Sequence, residues 1–95
     1  MADLDFEWDE AKNSANIAKH RVGFGVACNV FKDVFAIERL DDRQDYGEKR
    51  YVIIGMVDGR LLSVAYTMRG DDVVRIISAR GATPIEKRQY HEENS

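Results

Sequence analysis

The residues of this chain that could do chemistry are Lys19-His20-Arg21, the pair Glu48 and Arg50, then Arg69, Arg75, Arg80 and Glu86. Their types offer acid, base and guanidinium chemistry. Arginine's planar fork suits bidentate contact with phosphate, and positioned cations stabilise charge that grows on a phosphoryl group. His20 is the one imidazole outside the C-terminal stretch, the side-chain type that exchanges protons near neutral pH. Each cation also has a plainer reading as a surface charge paired with Asp or Glu, and a histidine at a helix end is more often a cap. Metal catalysis is not indicated, because His20 and His91 have neither H-x-x-x-H nor C-x-x-C spacing. Cys28 lies in an apolar stripe, so a Cys–His nucleophile is not expected. Gly23-Phe24-Gly25 is a short turn and not a phosphate loop.

These residues must be positioned by elements whose order the pattern gives. Asp9 caps a first helix that runs to His20, thinly apolar, with Ala11, Ala15 and Ala18 on one stripe and Lys12, Asn16, Lys19 and His20 on another. A second helix follows Gly23, burying Phe24, Ala27, Cys28 and Phe31. Val34–Glu38 reads as a strand, and Leu40–Arg50 as a polar loop. Two β-rich runs, YVIIGMV and RLLSVAYTM, meet at Asp58-Gly59, a strong hairpin signature. Gly70-Asp71 turns the chain again into VVRIISAR. Thr83-Pro84-Ile85-Glu86 combines an N-cap, proline at the first helical position and glutamate at N3, starting a helix through Tyr90.

These turns predict a register in which Tyr66 faces Tyr51, Val64 faces Ile53 and Leu62 faces Gly55, while across the next turn Tyr66 faces Arg75 and Leu61 faces Arg80. One sheet face then carries Tyr51, Leu62, Val64, Tyr66 and Arg75. The other carries Val52, Ile54, Val74 and Ile76 and grows polar toward Ser63, Ser78 and Arg80, a candidate site.

With 95 residues the chain fits a single domain over residues 1–95, and 44% hydrophobic with 33% charged residues is a globular composition. Its net charge of −3 argues against indiscriminate nucleic-acid binding, yet the charge is uneven: residues 1–48 hold 6 basic and 11 acidic side chains, residues 49–95 hold 8 and 6. A polyanion would need a local basic site. An acidic N-terminus without a signal-peptide pattern, one cysteine and no long apolar run make the cytoplasm, without membrane attachment, the expected location.

F-E-W-D-x-x-K-x-x-x-N-x-x-K-H at Phe6–His20, G-E-x-R at Gly47–Arg50 and R-I-I-S-A-R-x-A-T-x-x-E at Arg75–Glu86 resemble the BrnT family, toxins of bacterial type II toxin–antitoxin pairs. The resemblance spans Phe6 to about Tyr90. It implies a RelE-like α+β fold of order ααββββα, an antiparallel meander flanked by helices. It implies a metal-independent endoribonuclease with no cofactor, in which a ribose 2′-hydroxyl attacks the adjacent phosphate. In that setting His20 would transfer a proton, Arg80 and Arg69 would stabilise the phosphorane, and Lys19 and Arg50 would bind flanking RNA. Glu48 would be a base or the partner of Arg50. The implied partner is a BrnA-type ribbon-helix-helix antitoxin in a heterotetramer that touches operator DNA only through the antitoxin. A catalytically silent homologue that works by complex formation and operon repression is the rival reading. Family members commonly have glycine after the Lys-His pair. Here Arg21 stands in that place, and Gly23 is available to supply the turn.

Overall fold

A computed structural model describes residues 4–95. Strand β1 (Asp5–Glu7) leads into α1 (Glu10–His20) and the short α2 (Phe24–Ala27), which tightens into a 3-10 turn at Cys28–Lys32. Then come β2 (Ile37–Asp41), β3 (Arg50–Val57), β4 (Arg60–Arg69), β5 (Val73–Gly81) and α3 (Pro84–Glu93). The strands form one sheet of order β1-β5-β4-β3-β2, antiparallel throughout except for β1, which runs parallel to β5. The expected order ααββββα lacks this first strand. Asp5–Glu7 is too short for alternation to register, and its partners Val73–Arg75 lie at the far end of the chain.

Local chemistry explains most boundaries. Asp9 caps α1 by accepting the Lys12 N–H at 3.1 Å. The helix ends where Arg21 turns left-handed, φ 61° and ψ 27°, and its N–H closes on the Ile17 carbonyl. Gly23 does not supply that turn: at φ −86° it is the extended N-cap of α2. The strand expected at Val34–Glu38 begins only at Ile37. The Asp33 carboxylate takes the Phe35 N–H and its carbonyl takes that of Ala36, so Val34 and Phe35 form an exposed turn. Thr83 and Glu86 form a reciprocal capping box at the start of α3.

The β3–β4 register is the expected one. Asp58 and Gly59 both have positive φ, 49° and 80°, as a two-residue hairpin loop requires. Across β4 and β5 the register differs. The turn takes three residues, Gly70 to Asp72, so Arg69 pairs with Val73, and a bulge at Ala65/Tyr66 shifts the pairing once more. Tyr66 therefore faces Ile76, and Arg80 faces Ser63. Val74 and Ile76 move to the face of Leu62, Val64 and Tyr66, and Arg75 turns to the other.

That first face is the main core. Phe24, Ala27 and Val30 bury completely against Ile53, Leu62, Val64, Val74, Ile76 and Ala79, with an aromatic chain Phe6–Phe31–Tyr66–Tyr51 along one side. Burying Phe24 or Val30 contributes about 1.5–3 kcal/mol each. Cys28 packs half-buried at its edge, its thiol 3.2 Å from the Phe24 carbonyl, and burial pushes its pKa up. Asn16 pins α1 to this face: its amide nitrogen donates to the Val22 and Ala79 carbonyls, each at 2.8 Å, and its oxygen accepts the Ala79 N–H. On the opposite face α3 covers Val52, Ile54 and Leu61 with Tyr90, whose hydroxyl donates to Asp33 at 2.7 Å. Among the described residues no helix is long and apolar enough to cross a membrane.

Candidate RNA interface

Alternation along the strands sends Arg39, Arg50, Arg69, Arg75 and Arg80 to the face that α3 only partly covers. Between these arginines lie Ser63, Ala65, Thr67 and Ser78. Five guanidinium groups over one small-residue floor make this the basic surface of an otherwise acidic chain.

Its organising group is Glu86. This carboxylate is 4% exposed and is built into the α3 capping box, accepting the Thr83 N–H at 2.9 Å. It also receives both terminal nitrogens of Arg80, at 2.7 and 3.2 Å, and the Ser63 hydroxyl at 3.1 Å. Arg39 approaches within 3.7 Å of the same carboxylate and donates to Gln89. Burial alone would raise the Glu86 pKa. The Arg80 fork, the Thr83 N–H and the Ser63 hydroxyl outweigh it and hold the acid at about 2. Glu86 is thus an anion throughout the neutral range and positions cations; it is not a proton carrier. The Arg80 and Arg39 side chains remain 40% and 52% exposed, and Arg80 also donates to the Gly81 carbonyl at 3.1 Å.

The sequence-predicted residues divide into separate groups. Glu48 and Arg50 are together, 3.3 Å apart, with the Arg50 guanidinium 4.2 Å over the Tyr46 ring. Arg69 is exposed at the end of β4, on the same face and at the same end of the sheet as Arg50. Arg80 shares the face but not the end: from Ser63, its partner, to Arg69 is six residues, about 20 Å of strand. His20 and Lys19 are not brought to this surface. They end α1, which packs on the other side of the sheet through Asn16 and Ala79, whereas the next side chain, Arg80, points to the α3 side. The expectation that His20 and Arg80 converge on one phosphate is corrected accordingly. The reason is the strand itself, which sends neighbouring residues to opposite faces.

From sequence Arg39 is not a site candidate, and Glu86 stands among the chemically capable residues without a role. Arg39 fell between the expected strand and the polar loop, and only the later start of β2 gives it a face. Glu86 carried a usable signal, since a glutamate at N3 six residues after an arginine can cap a helix and meet the preceding strand at once. Among the described residues no cluster of three His, Cys, Asp or Glu side chains could hold a metal ion.

A comparison with curated proteins finds no match. The fold is similar to that of the Brucella abortus ribonuclease toxin, BrnT, solved at 1.1 Å: TM-score 0.64 and 26% sequence identity over 84% of this chain and 97% of that one. The family described as "Ribonuclease toxin, BrnT, of type II toxin-antitoxin system" matches residues 8–86, most of the length. The chain therefore belongs to the BrnT family of ribonuclease toxins.

Proposed function

We propose that this protein is the toxin of a type II pair and cuts RNA on the arginine-bearing face, without a metal ion. The ribose 2′-oxygen attacks the adjacent phosphorus, the bond to the 5′-oxygen breaks, and a 2′,3′-cyclic phosphate and a 5′-hydroxyl result. The 2′-hydroxyl proton passes to solvent water, and the departing 5′-oxygen takes one up from solvent water. Arg80 and Arg39 stabilise the extra negative charge on the phosphorane, which is the largest contribution such groups make. Arg75, Arg69 and Arg50 hold the strand along the sheet. His20 and Lys19 belong to the end of α1 and have no part in this step. The observation that carries the reading is the Glu86 cradle: a buried carboxylate fixes the Arg80 fork, and 40% of that side chain stays exposed beside it.

The partner that neutralises the toxin is proposed to be a BrnA-type ribbon-helix-helix antitoxin in a heterotetramer, with operator DNA contacted by the antitoxin alone. The net acidity of this chain supports that division of labour.

Purified protein should cleave single-stranded RNA in excess EDTA. Arg80→Lys keeps a charge beside Glu86 but removes the fork, and should lower cleavage at least ~100-fold with an unchanged circular dichroism spectrum. Full activity in that variant would place the chemistry elsewhere. Growth arrest on induction without the antitoxin separates this reading from a silent binding module.

A further inference from the structure

Beyond Arg80 the same face continues into an open groove of about 460 Å³ between the β3–β4 hairpin and α3, lined by Met56, Gly59, Arg60, Leu61, Gly81, Ala82, Lys87 and His91. None of these is acidic. Arg60, Lys87 and His91 supply its polar side chains, and none of the three pairs with a carboxylate among the described residues. Lys87 and His91 stand one turn apart on α3 and so share one side of the helix. Arg60 reaches the rim of the groove from the other side of the sheet: it starts on the Leu62 face of β4, and its guanidinium lies across Gly81, where a Cβ would come within 2.9 Å of a terminal nitrogen of Arg60. The glycine thus lets a cation lie close against β5.

We infer that this groove is a second phosphate subsite, which holds the backbone of the RNA strand next to the scissile linkage. The inference rests on the reading that the protein acts on RNA. Position favours it: Met56, Leu61 and Ala82 lie on the same sheet face as Arg80, and Lys87 directly follows Glu86 on α3, so the groove adjoins the Arg80 cradle. Chemistry favours it as well. A guanidinium fork and an ammonium suit phosphate oxygens, whereas Met56 and Leu61 alone offer little of the buried apolar anchor a peptide partner would need. Contact there is with backbone, so it is independent of base sequence.

The test is fluorescence anisotropy of the purified protein with a labelled single-stranded RNA whose 2′-hydroxyls are all methylated, so that no cleavage intervenes. The double variant Arg60→Gln/Lys87→Gln changes two exposed side chains and should keep the wild-type melting temperature. It should bind at least 10-fold more weakly, and the slope of log affinity against log salt should flatten by about 1.4, since each phosphate contact on a single strand contributes roughly 0.7. Two RNAs of different base composition should show the same loss. Unchanged affinity and slope overturn the subsite, as does a double variant that loses antitoxin affinity but not RNA affinity. The ribonuclease reading fails by a different sign, a wild-type protein that leaves unmodified RNA intact, and the anisotropy result still decides the groove.

Discussion

Arg21→Gly should make this protein more stable. Arg21 closes α1 in the left-handed conformation, φ 61° and ψ 27°, with its own N–H bonded to Ile17 at 2.8 Å. A residue with a Cβ is disfavoured there by about 1–2 kcal/mol. Glycine removes that cost but gives the unfolded chain more freedom, which returns roughly 0.5–1 kcal/mol. It also deletes a cation from a helix C-terminus, where one contributes ~0.3 kcal/mol or more. The remainder is a gain of about 0.5 kcal/mol. For a domain of this size 1 kcal/mol shifts the melting temperature by about 4–8 °C, so Arg21→Gly should melt about 2–4 °C higher. Two controls isolate the backbone. Arg21→Ala keeps the Cβ and should show no gain. Gly23→Ala changes a residue at φ −86° whose new Cβ would sit 3.6 Å from Ile17, an ordinary contact, and should be neutral or slightly stabilising. If Arg21→Gly melts no higher than Arg21→Ala, the left-handed cap is not a source of strain and the reasoning fails.

Acid should unfold the protein through its cradled carboxylates. Glu86 and Asp41 both titrate at about 2 when folded, below the ordinary carboxylate range, the latter chiefly through its bonds from Arg43. The stability they contribute is complete above the unfolded values and is lost as pH falls from about 5 toward 2. Urea midpoints measured across that window should fall, and Glu86→Gln should fall less steeply. Asn16→Leu should cost about 2–4 kcal/mol in urea unfolding, because it strands the Val22 carbonyl and both backbone groups of Ala79 without partners. A cost under 1 kcal/mol would mean that α1 is held by something else.

Much of this fold is legible in the chain wherever the deciding chemistry is local. Asp58-Gly59 sets the first hairpin to the residue, and Thr83 to Glu86 sets the start of α3. Where the outcome depends on distant partners, pattern reading goes astray. The bulge at Ala65/Tyr66 and the three-residue turn before Val73 decide which β5 side chains face the core, yet Gly70-Asp71 looks like an ordinary two-residue loop. Strand β1 is invisible for the same reason, since three residues gain a strand's identity only from Val73–Arg75. The candidate site is half legible. Ser63 and Arg80 emerge as a polar patch from alternation alone, and they do meet, through Glu86. Asn16 looks like part of a functional stripe with Lys19 and His20 but is a buried fastener. The α1 motif thus has a structural share that residue types do not separate from a chemical one.

The parallel pairing of β1 with β5 has a consequence for how the toxin is made. Synthesis delivers Asp5–Glu7 before Val73–Arg75, so this edge of the sheet cannot be sealed until everything between them has been made. Arg80 and the glutamate that aims it emerge later still. A chain that has not yet reached Glu86 therefore carries most of the framework without the Arg80–Glu86 pair or the cap that starts α3.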